Sequence, residues 1–231
     1  MADTIAAIAT GAQVAAIGII RISGPEALPI VDRLFRPASG KLMSEYEDRK
    51  LVYGRLTDLS GDLLDLCLCT VSHAPHSYTG EDTAELQCHG SPTVLRAALE
   101  ELFHAGARQA LPGEFTKRAF LNGRMELSSA EAVADIIDAE SIECAKNAAA
   151  QLSGAVAVKA DNIYSTLTDI SSHYHAVLDY PDEDIEDFRL ENYKQQLSSA
   201  ADSLRALLGS FERGKLMVSG IPAAIVGRPN A

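Results

Sequence analysis

The fold is decided by the stretch at residues 112–138, PGEFTKRAFLNGRMELSSAEAVADIID, where the sequence changes character. Before it, strand-like and helix-like segments alternate, and after it the apolar residues recur almost wholly at helical spacing. Charged residues and turn-formers are dense within the stretch. Phe115, Phe120 and Leu127 nevertheless make it more apolar than a plain linker would be. The stretch therefore predicts a junction between two architectures.

Residues 1–119 are predicted to form an α+β domain whose sheet is mainly antiparallel. Two helices are expected, one starting at the Ser-Gly-Pro turn of residues 23–25 and one at the Gly-Ser-Pro turn of residues 90–92. The strands are expected at residues 4–9, 17–22, 51–59, 63–71, 83–88 and, as a short strand, near 108–111.

Two charged residues of opposite sign, Arg21 and Glu85, fall inside predicted strands. One interpretation is a cross-strand ion pair, worth a few tenths to about 1 kcal/mol at an exposed position. The other is a ligand site in which the Glu85 carboxylate accepts two parallel N–H donors of a heterocycle. The residue pattern by itself leaves both interpretations open.

Residues 120–219 are predicted to be all-helical, in two long segments that can contain breaks and are separated by the Asp-Tyr-Pro turn at residues 179–181. A capping box is expected at residues 128–131, Ser-Ser-Ala-Glu, at the start of the first segment. Two such segments make a thin domain, which would bury its apolar stripes better against further helices.

The last residues, 220–231, are predicted to begin an α/β domain of the P-loop class. A buried strand is expected at residues 223–226, and the five residues after it match the first positions of the phosphate-binding motif G-x-x-x-x-G-K-[ST]. The sequence stops before the lysine and the Mg²⁺-binding hydroxyl of that motif. The nucleotide-binding residues expected here are Gly227, Arg228, Pro229, Asn230 and Ala231.

Composition limits the function classes further. The formal net charge of −12 argues against broad electrostatic binding to nucleic acid, which needs clustered basic residues. The four cysteines, Cys67, Cys69, Cys88 and Cys144, form no C-x-x-C pair, and no secretory signal opens the sequence. No apolar run approaches the ~20 residues needed to span a bilayer. These features predict a reduced cytoplasmic protein without a membrane partner, whose thiols pack in the core.

Five motifs together make the sequence resemble the tRNA modification GTPase family of the MnmE/TrmE kind, and the resemblance runs through all 231 residues. The motifs are IIRISG (residues 19–24), YTGEDTAELQCHG (78–90), PGEFTKRAFLNGRMELSSAEAVADII (112–137), LDYPDEDI (178–185) and AIVGRPNA (224–231). The resemblance implies a tetrahydrofolate-binding, aminomethyltransferase-like domain that forms a homodimer. It also implies a helical domain into which a GTPase domain is inserted.

The same resemblance implies a folate site made by Arg21, Glu85 and Arg124. Glu85 would pair with the pterin amide edge, and the two arginines would hold the formyl oxygen or the tail carboxylates. The folate would be 5-formyltetrahydrofolate or 5,10-methylenetetrahydrofolate. Catalytic residues and metal ligands of the family are expected outside these 231 residues, with GTP, Mg²⁺ and K⁺ bound by the full-length protein.

For the whole protein, the resemblance implies formation of a 5-carboxymethylaminomethyl-type group on the wobble uridine of tRNA. A flavin-dependent protein would be the partner, in a heterotetramer, and K⁺-stimulated GTP hydrolysis would drive the cycle. The 231 residues alone are expected to bind folate and dimerise but not to hydrolyse GTP. Two alternatives stay open, namely a stand-alone folate-dependent aminomethyltransferase-like enzyme and a non-catalytic dimerisation scaffold.

Overall fold

The structure is a computed structural model that describes residues 3–179, 190–219, 224 and 226–227. The chain divides into two compact units, Met1–Met125 and Glu126–Ala231. The domain limits expected from the sequence, at 1–119, 120–219 and 220–231, stay predictions.

The first unit is built on a seven-stranded sheet of order β3-β4-β5-β6-β2-β1-β7. Neighbouring strands run antiparallel except β1 and β7, which run parallel. The mainly antiparallel α+β architecture is therefore confirmed. The strands are β1 (Ile5–Ile8), β2 (Ile17–Ser23), β3 (Phe35–Pro37), β4 (Val52–Thr57), β5 (Leu63–Ser72), β6 (Thr83–His89) and β7 (Arg108–Gln109).

Strand β3 was missed by the sequence analysis because three residues are too few to show an alternating pattern. The short strand expected near residues 108–111 is confirmed, but it is limited to Arg108–Gln109. The helices of this unit are α1 (Ala27–Leu34), α2 (Pro92–His104) and α3 (Glu114–Leu121). Helix α2 begins with proline at its first position, where the missing N–H costs no hydrogen bond.

The strands alternate between a buried face and a half-exposed face, as a sheet with one covered side requires. Ile20, Ile22 and Leu86 are fully buried and belong to the same core cluster as residues of α1 and α2. The alternate positions of β2 and β6, which include Arg21 and Glu85, are only partly buried. This alternation places the two charged side chains on the open face of the sheet.

One glycine allows the closest approach of α2 to the sheet. A Cβ atom at Gly18 would lie 2.3 Å from Cδ1 of Leu95, well inside van der Waals contact. Strand β2 therefore needs glycine at the position where the helix crosses it.

The second unit is helical, which confirms the expected change of architecture. Its helices are α4 (Leu127–Ile137), α5 (Ile142–Leu152), α6 (Ala155–Asp179) and α7 (Leu190–Ser219). The first of the two expected helical segments is divided by breaks, for which the expectation left room, into α4, α5 and α6. Ser141 caps α5 by accepting a hydrogen bond from Cys144 N at 3.1 Å, and Gly154 has a left-handed φ of 83° before α6.

The capping box expected at residues 128–131 is wrong. Helix α4 starts two residues earlier, with Glu126 at the N-cap and no side-chain cap. Ser128 and Ser129 lie inside the helix and contact α5, where Gln151 Nε2 donates to Ser128 O at 3.3 Å and Ser129 Oγ donates to Gln151 O at 3.5 Å. Pairing of the two helices therefore takes precedence over the local capping signal.

Part of the chain end lies outside the described residues. Of the strand expected at residues 223–226, only Ala224 and Val226 are described, and neither lies in a strand. Val226 is 90% exposed, so burial is not observed there. A strand is stable only beside a partner strand, and in the described part of the chain the strands all belong to the first unit. Among the helices described, none has the length and hydropathy that crossing a bilayer requires.

Candidate functional site

Arg21 and Glu85 face each other across β2 and β6. The strands pair Arg21 with Glu85 in register, and Nε and Nη2 of the arginine both lie 2.8 Å from Oε1 of the glutamate. The side chains are 32% and 29% exposed, so the pair is open to solvent without being fully hydrated. The cross-strand ion pair, which was one of the two interpretations of these residues, is present.

The row of polar side chains that Arg21 and Glu85 form across the sheet continues onto a third strand. Thr70 of β5 is in register with Glu85, so the three residues lie side by side across β2, β6 and β5. The Thr70 hydroxyl is the one buried side-chain polar atom in the described residues that has no hydrogen-bond partner. Such an orphan costs about 1–3 kcal/mol in a folded protein, and its place beside Glu85 points to a polar group missing from this row.

Two aromatic side chains flank Arg21. Its guanidinium carbon lies 5.3 Å from the centroid of the Tyr78 ring and 5.7 Å from that of the Phe115 ring. Contacts of this kind are worth about 0.5–1 kcal/mol at exposed sites, and they restrict the arginine to one direction. The Tyr78 hydroxyl is in turn 3.0 Å from Thr116 Oγ1 on α3.

The sequence pattern does not assign Tyr78 and Phe115 to the site. A signal was available, because Tyr78 precedes the Thr-Gly-Glu-Asp turn and Phe115 follows the Pro-Gly-Glu turn, in the two most charged motifs. Their approach to Arg21 nevertheless depends on how the 77–82 loop and α3 fold, which spacing alone does not show.

Arg124 holds the 77–82 loop. Its Nε donates to Ser77 O at 3.1 Å, and the adjacent Asn122 donates through Nδ2 to Thr79 O at 2.7 Å. Gly80 turns the loop with a left-handed φ of 77°, and a Cβ there would lie 3.2 Å from Arg124 Cγ. Arg124 thus reaches the loop that carries Tyr78, and through it the neighbourhood of Arg21.

A second set of charges fixes this loop to α3. We call it the Glu114 cluster, and it consists of Asp3, Glu81, Arg108, Glu114 and Arg118. Arg118, only 11% exposed, donates through Nη1 to Glu81 Oε2 at 3.1 Å and through Nη2 to Glu114 Oε1 at 3.1 Å. Glu81 also accepts from Ser23 Oγ at 2.7 Å, which ties the cluster to β2.

The arginines of the cluster lower the pKa values of Glu114 and Asp3. The pKa of Glu114 falls from 4.5 to about 2, mainly because Arg108 donates two hydrogen bonds to its carboxylate. The pKa of Asp3 falls to about 2 for the same reason, with Arg108 as the main donor and Arg118 as a second. Four N–H donors surround Glu114, namely the Leu111 backbone N–H, both terminal nitrogens of Arg108 and Nη2 of Arg118, and all of them bond its carboxylate. The cluster is therefore a structural support for the site.

The predicted nucleotide-binding residues fall almost wholly outside the described part of the chain. Gly227 is described, is exposed and has no regular secondary structure. Arg228, Pro229, Asn230 and Ala231 are not described, so their assignment stays a prediction.

The order of these elements defines a class of protein, in which an α+β domain with a polar site on its open sheet face is followed by a helical domain. Residues 4–124 match the family described as "GTP-binding protein TrmE N-terminus", and residues 127–222 match the "MnmE helical domain". The chain therefore belongs to the MnmE/TrmE family.

Three relatives, each named "tRNA modification GTPase MnmE", show the extent of the similarity. The chain is 42% identical over 228 residues to that of Symbiobacterium thermophilum and 40% identical over 228 residues to that of Clostridioides difficile. It is 42% identical over 230 residues to that of Bacteroides fragilis. These matches cover 99% of this chain but only 49–50% of each relative. The chain thus spans about half the length of the relatives it matches.

Proposed function

We propose that the first unit binds a reduced folate, 5-formyltetrahydrofolate or 5,10-methylenetetrahydrofolate, through Arg21, Glu85 and Arg124. The observation that carries the proposal is the half-exposed Arg21–Glu85 pair between two aromatic rings. A flat, polar-edged ring system needs both parts of such a site, since the rings supply apolar contact and the charged pair supplies directional hydrogen bonds.

Glu85 is suited to recognise the pterin. Both Arg21 contacts fall on Oε1, so Oε2 lies outside the pair and can accept a further N–H. A carboxylate accepts two parallel N–H donors, one on each oxygen, which is the pattern on the amino-amide edge of a pterin, so binding would replace one of the two Arg21 contacts on Oε1. The orphaned Thr70 hydroxyl beside Glu85 offers an additional polar contact along the same row.

The arginines supply the complementary charge. Arg21 is held by Tyr78 and Phe115, and Arg124 is held through Ser77 O. In both cases the guanidinium retains N–H groups beyond those contacts. They would bind the formyl oxygen and the glutamate carboxylates of the folate, for which a planar bidentate donor is the preferred partner.

For the whole protein we propose the activity that the relatives' printed name describes, a tRNA modification GTPase. The folate would provide the one-carbon unit for a 5-carboxymethylaminomethyl-type group on wobble uridine. A flavin-dependent partner would join in a heterotetramer, in the cytoplasm. GTP, Mg²⁺ and K⁺ would bind the GTPase domain, of which residues 227–231 are the first part of the P-loop.

A homodimer formed through the first unit belongs to the same proposal. Tyr53 of β4 and Leu66 of β5 are 54% and 42% exposed, and they would supply apolar contact area to this interface. Light scattering coupled to gel filtration at micromolar concentration tests it. A dimer mass that falls to the monomer mass in Tyr53→Glu supports this interface, and a monomer at all concentrations contradicts it.

Calorimetric titration of the reduced 231-residue chain with 5-formyltetrahydrofolate tests the folate site. We expect one saturable site per chain, weakened at least about tenfold by Glu85→Gln and by Arg21→Ala, since each removes a charged hydrogen-bonding group. Matched controls are Glu100→Gln and Arg96→Ala, both at exposed positions of α2. Both should leave the affinity unchanged within about twofold, because surface sites away from a ligand are energetically neutral.

The second candidate function is a non-catalytic dimerisation scaffold. The direct contact between Arg21 and Glu85 favours it, because a plain ion pair needs no ligand. It predicts a dimer with no saturable folate binding. Folate binding that is equally strong in the wild type, Glu85→Gln and Arg21→Ala would instead place the ligand elsewhere on the chain and reject the proposed site.

A further inference from the structure

A separate group of ligand-type side chains lies under the covered face of the same sheet. We call it the Asp65–Cys88 cluster, and it consists of Asp65 and Cys67 on β5 and Cys88 on β6. One carboxylate oxygen and the two sulfur atoms all lie within 4.8 Å of one another. Asp65 and Cys67 are two residues apart on one strand and therefore share a face.

The pairing of β5 with β6 brings the third ligand. Leu68 is in register with Gln87, so the preceding residue Cys67 lies opposite Cys88 in the antiparallel ladder. Cys88 alternates with Gln87, which is on the same open face as Glu85. The cluster and the candidate folate site thus lie on opposite faces of the sheet, so the inference is independent of the proposed function.

All three ligand groups are largely enclosed, and Asp65 is the most exposed of them. Cys67 and Cys88 are 4% and 2% exposed, and the Asp65 side chain is 9% exposed. The hydrogen bond with Cys88 and burial both raise the pKa of the Cys67 thiol far above its ordinary value. A bound divalent cation would stabilise both thiolates and release their protons.

His89 orients the carboxylate from outside. Its backbone N–H donates to Asp65 Oδ2 at 2.8 Å, and its Nδ1 lies 2.7 Å from Asp65 Oδ1. The imidazole is 74% exposed, so an ion can enter past it. A histidine that hydrogen-bonds a ligating carboxylate is the kind of outer-shell partner that fixes ligand orientation.

We propose that the Asp65–Cys88 cluster binds a thiophilic divalent cation, Zn²⁺, through the sulfur atoms of Cys67 and Cys88 and the Asp65 carboxylate. Zn–S bonds of about 2.3 Å in a tetrahedron place two sulfurs about 3.8 Å apart, so side-chain adjustments of about 1 Å close the present arrangement around the ion. Two sulfur ligands select zinc over Mg²⁺ or Ca²⁺, which prefer all-oxygen sites. Water fills the fourth position on the solvent side.

Cobalt substitution tests the site directly. The reduced, untagged chain is titrated anaerobically with Co²⁺, and then with Zn²⁺. We expect a thiolate-to-cobalt charge-transfer absorption that saturates at one ion per chain and is lost when one equivalent of Zn²⁺ is added. Two protons should be released per ion in weakly buffered solution, because two thiols ionise. A large excess of Mg²⁺ should not displace the cobalt.

Variants assign the ligands. Cys88→Ser and Cys67→Ser should abolish the absorption, whereas Cys144→Ser, on helix α5 of the second unit, should retain it. Asp65→Asn and His89→Gln leave the buried thiols intact and should weaken binding about 10- to 100-fold. Hydrogen exchange in β2 and β6 confirms that each variant is folded.

Three results would overturn the proposal. They are an absence of charge-transfer absorption in the folded wild-type chain, absorption that survives in folded Cys88→Ser, and equal cobalt affinity in the wild type and Asp65→Asn.

Discussion

Replacing Glu114 by glutamine should destabilise the first unit by about 2 kcal/mol at neutral pH. Glu114 accepts hydrogen bonds from Leu111 N at 2.8 Å, from both terminal nitrogens of Arg108 at 2.9 and 2.5 Å, and from Arg118 at 3.1 Å. Glutamine keeps the shape of the side chain but has a single acceptor oxygen. Its amide N–H₂ would face guanidinium donors.

The magnitude follows from the pKa of Glu114. A fall from 4.5 to about 2 corresponds to about 3 kcal/mol of preferential stabilisation of the carboxylate in the folded state. The Glu114 side chain is only 11% exposed, but Arg108 is 42% exposed, so solvent screens part of this interaction. Asp3 remains to pair with both arginines in the variant. We therefore expect about 2 kcal/mol rather than the full value.

The pH dependence provides a sharper test than the size of the effect. Because the folded-state pKa is depressed, the stabilisation is complete above about pH 4.5 and is lost as the pH falls towards 2. Protonated Glu114 and glutamine then carry the same charge. The difference in free energy of unfolding between wild type and Glu114→Gln should therefore shrink steadily between pH 5 and pH 2.

Urea-dependent hydrogen exchange of amides in β2 and β6 measures this free energy in the first unit. The chain contains no tryptophan, so a fluorescence signal from that residue is not an option. Glu100→Gln makes the same chemical change at an exposed position and should cost no more than about 0.5 kcal/mol. The reasoning is refuted if Glu114→Gln costs no more than Glu100→Gln, or if its cost is the same at pH 7 and pH 2.5.

Three further predictions concern single contacts. Gly18→Ala should destabilise the first unit by about 1–3 kcal/mol in the same exchange assay, because its Cβ would overlap Leu95, and unchanged stability would contradict the close packing. Thr70→Val should stabilise the ligand-free chain by about 1 kcal/mol in urea unfolding, since it removes an unpaired buried hydroxyl. A loss of stability would mean that the hydroxyl has a partner. Asp48→Asn should lower the pKa of His73, because the hydrogen bond from Asp48 raises that pKa in the wild type. NMR titration of the imidazole measures the change, and an unchanged pKa would show that this hydrogen bond is not the cause.

Local patterns in the sequence were sufficient to predict a mainly antiparallel α+β region followed by a helical region. The alternation around Arg21 and Glu85 predicted two strands with a charged residue on the less buried face, and the strands confirm it. The change to helical spacing within residues 112–138 likewise predicted a helical region, which is present in the second unit. Both signals come from residues close in sequence, where backbone geometry fixes which side chains share a face.

Local patterns failed where contacts between elements decided the outcome. Ser128 and Glu131 have the spacing of a capping box, yet both lie inside α4, which pairs with α5 through Gln151. Similarly, the breaks that divide α4, α5 and α6 depend on a left-handed Gly154 and on the Ser141 cap, which an alanine-rich apolar pattern concealed.

The site shows the same division. Its charged residues stood out in the sequence because a charge in an apolar strand is conspicuous at any distance from its partner. Tyr78, Phe115 and the orphaned Thr70 hydroxyl became part of the site only in the tertiary structure. Strand register places Thr70 beside Glu85, and the Glu114 cluster positions α3 and the 77–82 loop around Arg21. Sequence by itself determined which faces are polar, whereas contacts between residues far apart in the chain determined which polar residues meet, since register and ion pairing depend on the whole fold.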